Sequence, residues 1–172
     1  IVVEGYFDAV ALHQAGLTHT VATLGTALTA EHIQVLRRFA SKVVLLFDPD
    51  KAGVRAALRS LDLFVNSGIG VKVVTLPAGE DPDTYVRKEG TEAFARLEEK
   101  APSLLDFSLE HSLSTAESST IEGRIRSVDD VLRILQKSEH PIEREERIRV
   151  VAERLGVSQQ RLIERYPALV QT

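Results

Sequence analysis

The 172-residue sequence contains no cysteine and no methionine. Without cysteine the chain has no disulfide and no thiolate ligand for zinc, so we expect no zinc in this chain, and the composition suits a reducing cytoplasm. Without methionine there is no possible initiator residue, and the sequence begins at Ile1 inside a predicted strand. We therefore expect the chain to be a fragment of a longer protein.

Long apolar segments and an excess of positive charge are also lacking. The longest apolar runs, such as residues 43–47, are far shorter than the roughly 18 residues that cross a bilayer, and no charged-then-apolar leader opens the sequence. We expect a globular protein with no membrane partner. The formal net charge of -4 argues against a protein that wraps nucleic acid by bulk positive charge, so any nucleic-acid contact should be local or depend on further segments.

The sequence does contain an alternation of short apolar, β-branched segments and amphipathic segments, with 44% hydrophobic residues to form a core. Uniformly apolar strands separated by helices are typical of a parallel sheet covered on both faces. The predicted strands are Ile1–Val3, Thr20–Leu24, Val43–Phe47 and Val71–Leu76, and the predicted helices between them are Tyr6–Ala15, Ala30–Phe39 and Ala52–Val65. The pattern predicts an α/β domain over residues 1–101.

After this domain the strand signal ends and the sequence is predicted to be helical. Residues 112–120, rich in Ser and Thr, are predicted to form a loop, and apolar residues then recur at helical spacing. Pro141 is suited to the first position of a further helix, Gly156 to the position just past its end, and Ser158 to the cap of a last helix. We expect a small all-α helical subdomain over residues 102–172.

Carboxylate side chains follow three of the four predicted strands. They are Glu4 and Asp8 after the first strand, Asp48 and Asp50 after the third, and Asp81 and Asp83 after the fourth. In an open parallel sheet, ligands bind beyond the carboxyl ends of the strands, so the acids should meet at one edge. Pro49 lacks an N–H and favours an extended backbone before it, so Asp48 and Asp50 should project to the same side. We expect the same arrangement around Pro82.

Such a cluster needs neutralisation. If Glu4 and Asp48 lie about 5 Å apart on neighbouring strands, their repulsion at an effective dielectric near 20 is on the order of 3 kcal/mol. Either a carboxyl group takes up a proton or a cation binds. With oxygen ligands alone, Mg²⁺, or Mn²⁺ in its place, is the natural cation, although single acids at loop tips are also common surface residues. An EF-hand is excluded because Ala52 and Arg59 occupy ligand positions.

Positively charged residues lie close to these acids. Lys51, Arg55 and Arg59 are spaced four apart on the helix after the third strand, and Arg87 and Lys88 follow the last acids. On one helix face they could contact phosphates held by a metal, or they could form a solvated face. Gly25 and Thr26 end the second strand before a helix and could form a turn that approaches a phosphate.

These residues lie in four segments that together resemble a known family. The segments "EGYFDAVAL", "LGTALT", "DPDKAGVRAA" and "EDPDTYVRKEG" occur in this order. They resemble the toprim module of bacterial DNA primases of the DnaG type, and the helical remainder is similar to the end of the polymerase core of those enzymes. The resemblance covers nearly the whole chain, and it implies a Rossmann-like toprim sheet flanked by helices.

The resemblance implies synthesis of short RNA primers on a single-stranded DNA template from nucleoside triphosphates. It places metal ions on Glu4, Asp48 and Asp50, with supporting roles for Asp8, Asp81 and Asp83. It also implies partners that we do not find in the sequence: a zinc-binding part and a basic part that precede the toprim strand, and a later domain that binds the replicative helicase. We therefore expect the isolated fragment to be weakly active or inactive.

Two alternatives stay open. The glutamate and the paired aspartates are shared by toprim domains of topoisomerases and nucleases that act on DNA, although Tyr6, Tyr85 and Tyr166 have no distinctive context for a nucleophile. Residues 141–166 also resemble a helix-turn-helix, in which Gln159, Gln160 and Arg161 would begin a recognition helix. Four glutamates around that segment oppose a phosphate surface, so we expect packing to be its main role.

Overall fold

The structure, a computed structural model, describes residues 1–48, 50–116, 120–138 and 140–170. The chain divides into two compact units, Ile1–Leu104 and Leu105–Thr172. The domain boundary predicted from the sequence, after Ala101, lies three residues before this division. Within the described ranges, no helix is both long enough and apolar enough to cross a membrane.

The first unit is built on a parallel sheet, as the sequence predicts. Its strands are β1 (Val2–Val3), β2 (Val21–Ala22), β3 (Lys42–Leu46) and β4 (Gly70–Val74), in the order β2-β1-β3-β4. β3 pairs with β4 along its whole length, and Val2 of β1 pairs with Leu45 of β3. Each observed strand is shorter than the predicted strand or is shifted along the sequence by one or two residues. The reason is that residues at the ends of the apolar runs lie in the adjoining loops.

Five helices connect and cover these strands. They are α1 (Tyr6–Gln14), α2 (Ala30–Leu36), α3 (Lys51–Phe64), α4 (Pro82–Glu89) and α5 (Thr91–Lys100). Three of them start at a side chain that accepts a hydrogen bond from the first turn: Thr29 for α2, Asp50 for α3 and Asp81 for α4. Local sequence therefore fixes where these helices begin, since each cap satisfies amides that have no partner inside the helix.

One apolar cluster joins the sheet to three of the helices. Val3 and Leu46 from the strands pack with Leu12 of α1, Val86 of α4 and Phe94 of α5, and all five are nearly fully buried. Residues of this kind contribute most of the folding free energy, and replacing Phe94 by alanine would cost roughly 3–5 kcal/mol. Because α1 and α4 pack on the same cluster, the loops at the start of both helices lie on the same side of the sheet.

The second unit is helical, which confirms the predicted class of the remainder. Its helices are α6 (Leu104–Ser114), α7 (Ile121–Leu135), α8 (Pro141–Leu155) and α9 (Gln159–Val170). Their core residues are Leu109, Val131, Leu132, Leu135, Ile148, Val151, Ala152 and Leu162. The predicted helix ends are confirmed: Pro141 lies in the first turn of α8, Gly156 ends it with φ 62°, and Ser158 accepts from the Arg161 amide at 3.3 Å.

One prediction for this unit is wrong. The loop predicted from residue 112 begins later, because α6 continues through Ser114. The hydroxyl groups of Ser114 and Thr115 donate to the carbonyl of His111 at 2.8 and 2.9 Å and so satisfy the last turn of the helix; residues 117–119 of that loop lie outside the described residues. The helical spacing predicted after this loop is confirmed by α7, in which Ile121 is 74% exposed while Leu132 is buried.

Candidate active site

The sheet order places the three acid-bearing strand ends side by side. β3 lies between β1 and β4, and all three strands run in the same direction. Glu4 follows β1 directly, and Asp48 lies two residues beyond the last residue of β3. Loops that leave neighbouring parallel strands emerge at the same edge, so the sequence expectation of a shared acidic edge agrees with this topology.

Glu4 is close to three other acids of this edge. Its pKa is raised, first by burial of the carboxyl group and then by the negative charges of Asp48, Asp50 and Asp8. The guanidinium of Arg59 opposes this effect and lowers the same pKa. The Oε1 atom of Glu4 is buried and has no hydrogen-bond partner. A buried carboxylate oxygen without a donor is costly, so this side chain favours a proton or a cation.

Asp8 interacts electrostatically both with Glu4 and with the acids at the start of α4. Burial raises its pKa, and the charges of Asp48, Asp81 and Asp83 add to that effect. The amide of Gly5 hydrogen-bonds to the Asp8 carboxylate and lowers the pKa in part.

The two Asp-Pro-Asp segments do not form the same local structure, which corrects the sequence prediction. In the first, the second acid is the cap: Asp50 Oδ1 accepts from the amides of Ala52 and Gly53 at 2.7 and 2.8 Å. In the second, the first acid is the cap: Asp81 Oδ1 accepts from the Thr84 amide at 2.7 Å. The helices start at different positions of the motif, so the acids face different neighbours; Pro49, on which the prediction relied, lies outside the described residues.

A cleft of about 410 Å³ lies between the loop after β2 and α3. Glu4 and Arg59 both line it, together with Thr23, Gly25 and Thr26. Its walls therefore carry one carboxylate, one guanidinium and several hydroxyl and backbone groups. Arg55 and Lys51 are exposed one and two turns nearer the start of the same helix. An anion with attached metal ions is the kind of ligand that such a mixed lining suits.

The turn after β2 is tied to the end of β1. Leu24 and Gly25 both have positive φ, 57° and 74°, and the Gly25 amide donates to the Glu4 carbonyl oxygen at 3.3 Å. The Thr26 hydroxyl donates to the Thr23 carbonyl oxygen at 2.7 Å. Leucine at positive φ is strained, so the turn depends on these bonds. The predicted phosphate contacts of Gly25 and Thr26 stay a prediction.

The two cations of α4 are paired with acids of their own segment. Arg87 Nε lies 2.5 Å from Asp83 Oδ1, and Lys88 Nζ lies 2.8 Å from Glu80 Oε1. The hydrogen bond to Glu80 is the main reason that the Lys88 pKa is raised. Glu80 was missed by the sequence reasoning, although it directly precedes Asp81 in the same acidic run. Its Oε2 atom is buried without a hydrogen-bond partner.

The acidic edge matches a cation in charge and in donor chemistry. Glu4 offers a buried oxygen without a donor, and its neighbours are further carboxylates, which are the ligands of hard divalent cations. Among the described residues, however, no three His, Asp or Glu side chains are close enough together to hold one ion. One reason is that Asp50 and Asp81 each use one carboxylate oxygen to accept hydrogen bonds from amides in the first turn of a helix.

Comparisons with known proteins match both parts of the chain. Residues 1–86 match the family described as Toprim-like, and residues 105–160 match the DnaB-helicase binding domain of primase. The second match differs from our expectation, which placed a helicase-binding region outside this chain. The reason is that the helical remainder has no motif that distinguishes packing from partner binding in a single sequence.

Individual relatives agree with these family matches. A DNA primase of Clostridium acetobutylicum is 38% identical over 164 residues, which are 95% of this chain and 27% of that protein. The structure of an E. coli primase catalytic core matches with a TM-score of 0.77 and 38% identity, covering 92% of this chain and 52% of that one. A DnaG primase catalytic domain bound to single-stranded DNA matches with a TM-score of 0.75 and 37% identity, covering 89% and 51%. The chain thus spans about a quarter of the length of the curated relative.

Proposed function

Since the chain belongs to the Toprim-like family and groups with the bacterial primases of the DnaG type, we propose that it is part of the catalytic core of a DNA primase. The whole enzyme would make short RNA primers on single-stranded DNA from nucleoside triphosphates. The observation that carries this proposal is the row of three neighbouring strand ends, with Glu4 buried among the charges of Asp8, Asp48 and Asp50.

Glu4, Asp48 and Asp50 would hold Mg²⁺, or Mn²⁺ as a substitute, and Asp8, Asp81 and Asp83 would support them. When bound, divalent ions would favour ionisation of the attacking 3′-hydroxyl and neutralise the departing pyrophosphate. The carboxylates themselves would fix where this positive charge lies. Preorganised charge of this kind acts without covalent chemistry by the protein.

Arg59 would contact the phosphates of the incoming nucleotide, because it lines the same cleft as Glu4. Lys51 and Arg55 would extend this positive face along α3. Arg87 and Lys88 would act only after leaving Asp83 and Glu80, so we expect smaller contributions from them. The turn of Gly25 and Thr26 would approach the nucleotide from the opposite wall of the cleft.

The partners follow from the comparisons and from the charge of the chain. A relative bound to single-stranded DNA supports a DNA template, and the match of residues 105–160 supports contact with the replicative helicase from the second unit. The net charge of -4 supports a requirement for basic segments of the whole enzyme to hold the template. The 172-residue chain alone is therefore expected to show little or no primer synthesis.

The test is an Asp48→Ala substitution in the full-length enzyme, with Glu92→Ala as the matched control. Glu92 is an exposed acid of α5, outside the acidic edge. We expect the Asp48 variant to lose primer synthesis on single-stranded DNA while its circular dichroism spectrum is unchanged, and the Glu92 variant to behave as wild type. Normal primer output from the Asp48 variant would overturn the proposal. DNA cleavage or relaxation by the wild-type enzyme would instead support a nuclease or topoisomerase.

A further inference from the structure

Gly53, in the first turn of α3, is buried against the main chain of Asp48. A Cβ atom added to Gly53 would lie 2.9 Å from the Asp48 nitrogen and 3.0 Å from its carbonyl carbon, and closer still to the carbonyl oxygen. Protein Cβ atoms essentially never approach other heavy atoms more closely than 3.0 Å. The close neighbours are backbone atoms, which cannot move aside by a change of rotamer. Any side chain at position 53 must therefore displace the backbone of Asp48.

The backbone conformation of Gly53 does not itself require glycine. The residue lies inside a helix and is not among the glycines with positive φ. Alanine is the more favourable residue at a helical position, because glycine loses more conformational entropy on folding. The absence of a side chain is thus explained by the approach of Asp48 and not by helix geometry.

Gly53 also contacts the second acid of the same segment. Its amide donates to Asp50 Oδ1 at 2.8 Å, alongside the Ala52 amide at 2.7 Å. One residue therefore borders both acids that follow β3: the Asp48 main chain by close packing and the Asp50 carboxylate by a hydrogen bond. The negative charge of Asp48 acts in turn on Glu4 and Asp8.

We propose that Gly53 is a positioning residue of the acidic edge: its missing side chain lets the Asp48 main chain rest on α3, and this keeps the Asp48 carboxylate close to Glu4. The inference rests on the proposed function in so far as that function assigns the carboxylates to a divalent cation. The steric part stands on the contacts alone.

The experiment compares Gly53→Ala with Gly70→Ala in the 172-residue chain. Gly70 begins β4, and a Cβ there would lie 3.7 Å from the Ser41 carbonyl oxygen, an ordinary contact. We measure Mn²⁺ affinity by electron paramagnetic resonance of the free ion, backbone amide spectra without metal, and urea unfolding. For Gly53→Ala we expect Mn²⁺ affinity to fall by about tenfold or more, as for residues that orient metal ligands, with amide shifts at Asp48 and at the end of β1. Gly70→Ala should change neither.

The opposite result is well defined. If Gly53→Ala binds Mn²⁺ like the wild type and gains stability from the better helix former, the positioning role is refuted. If the wild type binds no Mn²⁺, the proposed function fails, and the amide spectra still decide the steric inference, since an unmoved Asp48 would refute it. If the variant stays unfolded even in about 1 M of a stabilising osmolyte, Gly53 serves the whole fold and the positioning role is likewise refuted.

Discussion

The two units use the same kinds of charged residue in opposite ways. At the sheet edge of the first unit, the neighbours of Glu4 and Asp8 include more carboxylates, and both pKa values are raised. In the second unit, Arg165 binds the carboxylate of Asp129 at 2.5 and 2.7 Å and lowers its pKa. Carboxylates paired inside the chain hold helices together, whereas carboxylates crowded at an edge need a charge from outside.

The arginine pairs of the second unit join its helices. Arg147 of α8 contacts Asp106 of α6 at 2.7 Å and Glu143 at 2.9 Å, and its side chain is only 20% exposed. Arg154 of α8 pairs with Glu110 of α6 at 2.9 Å. These carboxylates thus have arginine partners inside the second unit, whereas Glu4 at the sheet edge is surrounded mainly by charges of its own sign.

Divalent metal should produce the largest difference between the units. At a Mn²⁺ concentration about 100 times the dissociation constant, a site present only in the folded state adds about 2.7 kcal/mol to the free energy of unfolding. We expect hydrogen exchange in β1, β3 and the start of α3 to slow accordingly, while α7 and α8 exchange as before. Removing the metal with a chelator should reverse the effect. If Mn²⁺ slowed hydrogen exchange equally in both units, the proposed difference between their carboxylates would be contradicted.

The Arg147→Ala substitution tests whether the arginine pairs stabilise the second unit. It removes the guanidinium that contacts Asp106 and Glu143, so we expect the free energy of unfolding to fall by about 1–3 kcal/mol. The matched control is Arg149→Ala, which removes an exposed pair with Glu146 on the same helix and should lower the free energy of unfolding less than Arg147→Ala does. Urea unfolding measures both variants, and neither should alter Mn²⁺ affinity.

The stability of the metal-free chain should depend on pH in opposite ways through the two units. We expect this effect to be smaller than those of the metal and of Arg147→Ala. The pKa values of Glu4 and Asp8 lie above their ordinary values of 4.5 and 3.8, so the folded state binds more protons than the unfolded state in that interval. Stability should therefore fall as pH rises from these ordinary values through the raised ones. Asp129 has a lowered pKa, so its contribution is present above 3.8 and is lost as pH falls through the lowered value.

Urea unfolding of Glu4→Gln and Asp129→Asn over a pH series measures this difference. Above pH 4.5, the free energy of unfolding of the Glu4 variant should fall less steeply with pH than that of the wild type. Added Mn²⁺ should likewise reduce the pH dependence of the wild-type free energy of unfolding in this range. The Asp129 variant should differ from wild type above 3.8 by a loss of stability that disappears in acid. A metal-free wild type whose stability only rises between pH 4.5 and neutrality would disprove the raised pKa values.

Much of the fold could be predicted from the sequence because its signals are local. Apolar, β-branched runs predicted strands close to their observed positions, and Pro141 and Ser158 marked helix starts. Helical spacing did not identify which residues of α7 are buried, because the exposed Ile121 fits the same spacing as the buried Leu135. Spacing alone does not say which of two adjacent faces meets the core.

The description of the candidate site depended on both the sequence and the tertiary structure. The sequence alone placed carboxylates after three strands, and this required only that strands be recognised and their ends located. The tertiary structure decided that β1, β3 and β4 are neighbours, that Asp50 and Asp81 cap helices, and that Gly53 supports Asp48. The physical reason is that strand order and backbone packing arise from contacts between residues far apart in the chain, which no short stretch of sequence specifies.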